Sequence, residues 1–416
     1  MLIKRQLFGR AGMMLAVAFL LVPLLAACGG TADTPTPAAP AATDTPAAAA
    51  ATDTPAAAVS TDTPAAAETT PTEAAMAGET PSAGTAMSGT LKVGLVTDVG
   101  RLNDKSFNQS SWEGVEKAKT DLGVQDKAIE TTDTKDYAKN IQQFIDDKYD
   151  AIVTVGFALG DATIKAAQAN PNVKFIGVDQ FQDPSKPTIP NLAGLVFEED
   201  KAGYAAGVLA ASLSKNNNVG AVCGTDSVPP VWRYCEAFKA GAKSVKPDIT
   251  SQVVYHSDVD ITKTFVDPDW GKTTALSMID RGADVVFGAG GQTGNGAIYA
   301  AKEKNIPAIG VDTDQYFTIG DQYKGALVSS AMKLLTPGVY DQLKAVQDGT
   351  FKGGNVNGTT GMAPYHDWDS KVPADVKAKM QQVDAGLKDG SIKTCVSPAK
   401  GAPSPCGGTA DATPTK

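Results

Sequence analysis

From Leu91 onward the chain repeats one alternation: a short apolar run rich in β-branched residues, a turn, then a stretch whose apolar positions recur every three or four residues. The first pattern is that of a buried strand and the second that of an amphipathic helix. The spacing predicts strands at Leu91–Thr97, Ala151–Val155, Val173–Val178, Asn218–Cys223, Asp284–Phe287, Ala308–Val311 and Ala326–Ser329. Helices are expected at Ser106–Leu122, Tyr137–Ile145, Asp161–Ala169, Lys201–Leu213, Arg233–Ser244, Lys272–Arg281 and Gly294–Lys304. Strands that alternate with helices signal βαβ units on parallel sheets, an α/β protein. So many units exceed one comfortable core, and two lobes of roughly 150 residues each fit better. In open parallel sheets ligands bind beyond the carboxyl ends of the strands, so function is to be sought in the residues that follow each strand.

Before Leu91 the pattern is different. Lys4, Arg5 and Arg10 precede an apolar run from Ala11 to Leu25 that ends in Leu25-Ala26-Ala27-Cys28. Charged, then apolar, then small is the order of a secretory signal peptide, expected at 1–27. The run is short and flanked on one side only, unlike a permanent spanning helix. A thiol directly after small residues fits a lipobox, which makes Cys28 the expected lipidation site and a lipid the expected anchor to the cell membrane. From 28 to 88 the sequence is almost wholly Ala, Thr, Pro, Asp, Gly, Ser and Glu, with Thr-Asp-Thr-Pro recurring at Thr43, Thr52 and Thr61. Such a segment cannot offset the entropy of ordering itself and reads as a disordered tether. A flexible chain of about 60 residues spans roughly 40 to 50 Å end to end.

Five cysteines are present. Setting Cys28 aside leaves Cys223, Cys235, Cys395 and Cys406, and outside the cell the economical pairing is local, Cys223 with Cys235 and Cys395 with Cys406, free thiols being the alternative. No Cys-x-x-Cys is present and the two histidines, His256 and His366, are far apart, so neither a metal site nor a histidine-dependent triad has material to build from. The net charge of −9, which loss of Lys4, Arg5 and Arg10 makes three units more negative, argues against nucleic acid as a partner.

The strand ends repeat one chemistry: Thr97-Asp98-Val99-Gly100, Gly156-Phe157, Gly177-Val178-Asp179, Gly288-Ala289-Gly290-Gly291 and Gly310-Val311-Asp312-Thr313-Asp314. A carboxylate accepts hydrogen bonds from neighbouring hydroxyls or amines, and glycine lets backbone amides approach a ligand. The set suits a polyhydroxylated or amine-bearing small molecule. Gly288–Gly291 lacks the Lys-Ser/Thr ending of a phosphate loop and the dinucleotide spacing, so no cofactor is expected.

Gly94-Leu-Val-Thr-Asp-Val-Gly100, followed by Asn103-Asp-Lys-Ser-Phe-Asn-Gln-Ser-Ser-Trp-Glu-Gly114, resembles the opening signature of the basic membrane protein family, lipoproteins similar to purine nucleoside receptors of ABC transporters. The likeness continues through Thr154-Val-Gly-Phe157, Gly177-Val-Asp-Gln180, Val228-Pro-Pro230, Arg281-Gly-Ala-Asp-Val-Val-Phe287 and Gly310-Val-Asp-Thr-Asp-Gln315. It implies a two-lobed type I periplasmic-binding-protein-like fold, each lobe a parallel sheet flanked by helices and joined by a hinge. The expected division is a solute-binding domain at 89–394, with lobe 1 about 89–198 plus 331–352, lobe 2 about 199–330 plus 353–394, and a tail at 395–416.

Carried over position by position, the resemblance implies that Phe107 stacks on a base whose edge is bonded by Asp98 and Asn108. Asp179 matches a further binding position, Asp312 the carboxylate that takes the ribose hydroxyls, and Lys333 a lysine near the sugar. Phe287 is the candidate for a second aromatic slice, with Gly290 giving backbone access, although Trp232, Phe265 and Trp270 lie in the same lobe. Asp104 is read as a helix cap and left out of the site. The sequence departs from the family pattern at Arg101-Leu102, at the cysteines that bracket Val228-Pro-Pro230, and at Trp232. The implied protein is a monomeric, non-enzymatic receptor whose lobes close on a nucleoside and which serves an ABC permease. The alternatives are a sugar receptor of the same architecture, a nucleoside-acting hydrolase using paired carboxylates, and a surface adhesin.

Overall fold

The computed structural model describes residues 89–407. The expected signal peptide (1–27), Cys28, the tether (28–88) and the end of the tail (408–416) lie outside the described residues.

One sheet is built from β1 (Lys92–Val99), β2 (Gln125–Thr131), β3 (Ala151–Val155), β4 (Lys174–Val178), β5 (Leu192–Val196) and, from far along the chain, β11 (Gly354–Asn357). Its order is β11-β5-β4-β3-β1-β2, with every neighbouring pair parallel. Because helices cover both faces, the central strands carry apolar residues on both sides rather than alternating with polar ones. Along β3, Ala151, Val153 and Val155 pack towards α1 (Phe107–Leu122) and α10 (Leu335–Gln347), while Ile152 faces α2 (Tyr137–Asp146) and α3 (Gly160–Ala169).

The second sheet comprises β6 (Asn218–Cys223), β7 (Thr250–Tyr255), β8 (Val286–Ala289), β9 (Ala308–Asp312), β10 (Leu327–Lys333) and β12 (Thr360–Met362). Its order is β12-β10-β9-β8-β6-β7, parallel except for β12, which runs antiparallel to β10. Helices α4 (Glu199–Leu213), α5 (Pro229–Val245) and α11 (Ala374–Asp389) cover one face, and α7 (Pro268–Asp280) and α8 (Gly291–Lys304) the other. Two single-turn helices, α6 (Ile261–Thr264) and α9 (Asp321–Lys324), sit in its loops. The α4–α5 contact is closer than side chains would allow: a Cβ on Gly207 would collide with the Phe238 carbonyl, and one on Gly241 with that of Tyr204. This seating fixes where the amino end of α5 points.

The chain passes between the sheets after β5, after β10 and after β11. Two of the expected boundaries need correction here. Residues 331–333 complete β10 in the second sheet, and 354–357 form β11 in the first, where the sequence reading had exchanged them. The physical reason is edge pairing: Gly354–Asn357 satisfies the open hydrogen bonds of β5 before the chain returns. Cys223 is joined to Cys235, and Cys395 to Cys406. Among the described residues no helix is long and apolar enough to cross a membrane.

Candidate functional site

The carboxyl ends of the two sheets face each other across a cleft lined from the first lobe by Asp98, Asp104, Phe107, Asn108, Phe157 and Asp179, and from the second by Tyr234, Phe265, Gly290, Asp312 and Lys333, with the Val228–Val231 turn beside them. Asp179 and Asp312 hold equivalent places, each in a Gly-Val-Asp sequence that ends a buried strand. Both adopt left-handed backbone, with φ of 59° and 66°. Asp tolerates that region better than most residues, and the turn swings each carboxylate off its strand into the cleft. A glutamine stands just beyond each, directly after Asp179 and three residues after Asp312. Gln180 donates to the carbonyls of Thr154 and Gly156, and Gln315 accepts from the Val311 amide, so each turn is tied to its own sheet.

Lys333, at the end of β10 and only 3% exposed, is the cation among these acids. Its Nζ lies 2.5 Å from Asp179, 3.4 Å from Glu199 and 3.9 Å from Asp312, and 4.5 Å from the Phe107 ring centroid. Burial pulls the ammonium down, yet Asp179, Glu199 and Asp312 outweigh it and hold its pKa above the usual lysine value. Burial pushes Asp179 up to about 7, against the pull of Lys333. Asp312 is likewise raised by burial, opposed by Lys333 and by the Ser106 hydroxyl. Asp98 reaches about 7 through burial and through the nearby Asp104 and Asp179. The Oδ1 atoms of Asp179 and Asn108 are buried without a hydrogen-bond partner. Such atoms are costly to leave alone, so they mark where a donor-rich ligand would be satisfied.

The loop before α1 bridges the lobes. Ser106 Oγ donates to Asp312 Oδ2 at 2.6 Å, Asn295 Nδ2 to the Asp104 carbonyl at 2.9 Å, and the Lys105 carbonyl accepts from Gln315 Nε2 at 3.0 Å and Thr318 Oγ1 at 2.8 Å. The structure is therefore a closed form.

Seven of the eight expected ligand residues, Asp98, Phe107, Asn108, Asp179, Gly290, Asp312 and Lys333, come together in this cleft. Phe287 does not. It is fully buried beneath the sheet, 5.2 Å from the Phe238 ring centroid and 6.2 Å from that of Tyr234. Strand alternation sends its side chain to the α4–α5 face, whereas the cleft opens at the strand's end, at Ala289–Gly291. The aromatics that the second lobe does supply are Tyr234 and Phe265, the latter seated over Gly224, where a Cβ would strike its ring. Asp104 both caps α1, accepting from the amides of Ser106, Asn108 and Gln109, and lines the cleft, with burial raising its pKa to about 7. Phe157 and Tyr234 were missed as lining residues, and Glu199 had no signal beyond its place after a strand. Among the described residues no group of His, Cys, Asp and Glu could hold a metal ion.

The family model described as "ABC transporter substrate-binding protein PnrA-like" matches residues 91–359. The ABC transporter nucleoside-binding protein BmpA of Lactococcus lactis is 32% identical over 285 residues, covering 64% of this chain and 78% of that protein. Basic membrane protein A of Borreliella burgdorferi is 29% identical over 268 residues, 64% of this chain and 75% of its own length. The solved structure of an ABC transporter solute-binding protein from Aeropyrum pernix superposes with a TM-score of 0.65 at 24% identity, covering 73% of this chain and 92% of that one, and shares the two-lobed fold. The chain thus belongs to the PnrA-like, or basic membrane protein, family of ABC transporter substrate-binding proteins, extracytoplasmic solute receptors and not enzymes.

Proposed function

We propose that this receptor binds a nucleoside, with a purine as its base, and is held to the membrane by a lipid on Cys28 while it delivers its cargo to the permease. The observation that carries the reading is the division of labour across the cleft: Phe107, Asn108 and Asp98 stand on one lobe, and Asp312 on the other, with Lys333 between the carboxylates. A flat base stacked on Phe107 presents N–H donors to Asp98 and to the unpartnered Asn108 Oδ1. The sugar's adjacent hydroxyls face Asp312 and the free Oδ1 of Asp179. A ligand bonded to both lobes has its highest affinity for the closed form, and that difference draws the lobes together. The nucleoside-binding relative from Lactococcus supports the same ligand class.

Calorimetry with inosine, guanosine, adenosine, hypoxanthine and ribose tests this. Binding of nucleosides, with base or sugar alone much weaker, is expected. Tight binding of ribose alone would favour a sugar receptor, and release of free base during the incubation would favour a hydrolase. The anchor is tested separately, by the mass of the amino-terminal peptide from membrane-extracted protein.

A further inference from the structure

Two of the features in which the sequence departs from the family pattern, the cysteines around Val228-Pro229-Pro230 and Trp232, meet in one place. Cys223 and Cys235 enclose Val228-Pro229-Pro230, Trp232 follows, and against them lies the 394–407 segment, beyond the 91–359 stretch that the family model matches. That segment contains neither helix nor strand and is closed on itself by the Cys395–Cys406 bridge. Four polar contacts bind it to the second lobe. Trp232 Nε1 donates to Ser397 Oγ at 3.0 Å, Arg233 Nη1 donates to the Pro398 carbonyl at 3.0 Å, Lys400 Nζ meets Asp226 Oδ2 at 2.6 Å, and Thr394 Oγ1 donates to Asp200 Oδ2. Ser397 is 5% exposed, so the segment is seated and not merely laid on the surface.

The residues that hold this strap are interleaved with those that line the cleft. Asp226, Trp232 and Arg233 face the strap, while Val228, Pro230, Val231 and Tyr234 face the cleft. The Cys223–Cys235 bridge ties the second turn of α5 back to the end of β6, so 223–235 is a closed loop with the ligand wall on one side and the strap on the other. Arg233 also reaches inward. Its Nε donates to Glu199 Oε2 at 2.8 Å, and Glu199 Oε1 lies 3.4 Å from Lys333 Nζ, which contacts Asp179. An unbroken line of polar contacts therefore runs from the Pro398 carbonyl through Arg233, Glu199 and Lys333 to a cleft carboxylate.

We propose that the disulfide-closed strap at 394–407 is a positioning element of the binding cleft, acting through Trp232 and Arg233 to hold the Val228–Tyr234 wall and Lys333 in ligand-ready geometry. A wall ordered before the ligand arrives loses less freedom on binding, and such preorganisation is expressed mainly in a slower dissociation rate. The effect on ligand rests on the nucleoside reading above; the effect on the wall does not.

The test uses the full chain and two double variants that leave every lining residue in place, Cys395→Ser/Cys406→Ser and Ser397→Ala/Lys400→Ala, the second guarding against misfolding of the first. Amide hydrogen exchange is followed without ligand, together with Trp fluorescence and the kinetics of inosine binding. In both variants exchange across 223–236 should accelerate at least tenfold while β3 is unchanged, and inosine should dissociate at least fivefold faster at a similar association rate. Unaltered exchange across 223–236, once exchange within 394–407 shows the strap released, would overturn the proposal. So would faster exchange there with unchanged inosine kinetics, since the strap would then serve stability alone. If the unaltered protein binds no inosine, the nucleoside reading fails and the exchange result still decides whether the strap holds the wall.

Discussion

Replacing Lys333 with Met removes, among the described residues, the only cation in contact with Asp179, and puts an apolar side chain of similar length near Phe107 and Phe197. Lys333 and Asp179 are 3% and 9% exposed, so solvent does little to screen the loss. Breaking a buried pair by deleting one partner costs about 3–5 kcal/mol. At about 2 °C per kcal/mol for a domain of this size, Tm should fall by roughly 6–10 °C at pH 8. The pH dependence is the sharper test. Asp179 already titrates near 7 with the lysine present, and without it burial and neighbouring carboxylates push it higher. A carboxyl whose folded pKa is raised binds more protons folded than unfolded, so stability falls as pH climbs from the unfolded value towards the folded one. At pH 5 the acid is protonated in the folded variant and the missing cation matters little. At pH 8 the folded variant must carry the charge unpaired. Ligand-free melting of Lys333→Met beside the unaltered protein should therefore show a deficit several degrees larger at pH 8 than at pH 5. Equal deficits at the two pH values, or none, would refute the view that Lys333 holds these carboxylates electrostatically.

Phe107→Ala and Asp312→Ala should each weaken nucleoside binding at least tenfold, about 1.4 kcal/mol, with melting still cooperative; unchanged calorimetric affinity in both would remove the proposed site. Because burial raises Asp98 to about 7 and a base donating N–H bonds favours its ionised form, binding at pH 7 should release protons, and affinity should fall below that pH. Binding enthalpies in buffers of different ionisation heat measure that release, which should shrink in Asp98→Asn. Ser106→Ala deletes the hydroxyl that joins α1 to Asp312 across the cleft, and losing about 1 kcal/mol there should weaken binding about fivefold and shift the ligand-free scattering profile towards a more open form.

What the sequence revealed followed from burial. The central strands carry apolar residues on both faces because helices cover both, and β1, β3, β4, β6, β8 and β9 were each placed to within a few residues, whereas β5, equally apolar, was not found. The edge strands β2 and β7 were not found, since Gln125-Asp126-Lys127 and Thr250-Ser251-Gln252 carry the polar residues that protect a sheet edge, and so do not read as strands. The two short returns, β11 and β12, make sense only through their partners β5 and β10 on the far side of the chain. In the site, residues fixed by their position after a strand were legible: Asp98, Asp179, Gly290 and Asp312 all lie where a carboxyl end of a strand must deliver them. Phe287 went astray because a strand's aromatic faces a helix layer unless it stands at the very end, and Phe265, one of three alternatives in the same lobe, could not be singled out because only the turn after α6 brings it over Gly224. Glu199 and Arg233 become meaningful only when the crossing after β5 sets them beside Lys333.

The electrostatics of the cleft bear directly on why closure should depend on cargo. Bringing the lobes together sets Asp98, Asp104 and Asp179 towards Asp312, and among the described residues Lys333 alone of the cations touches more than one of the cleft acids. Asp98, Asp104 and Asp179 are all raised to about 7, first by burial and then by neighbouring carboxylates, so closing an empty cleft at neutral pH means either taking up protons or burying like charges. The Ser106, Asn295, Gln315 and Thr318 bonds across the mouth offset part of that cost without touching the ligand. A neutral ligand rich in N–H and O–H donors offsets the rest, because each donor favours an ionised carboxylate in place. A ligand that brought phosphate would instead add negative charge to a site already short of cations. The same acids that hold the cargo thus make closure over cargo more favourable than closure over an empty cleft, which is the differential affinity that a delivery protein needs.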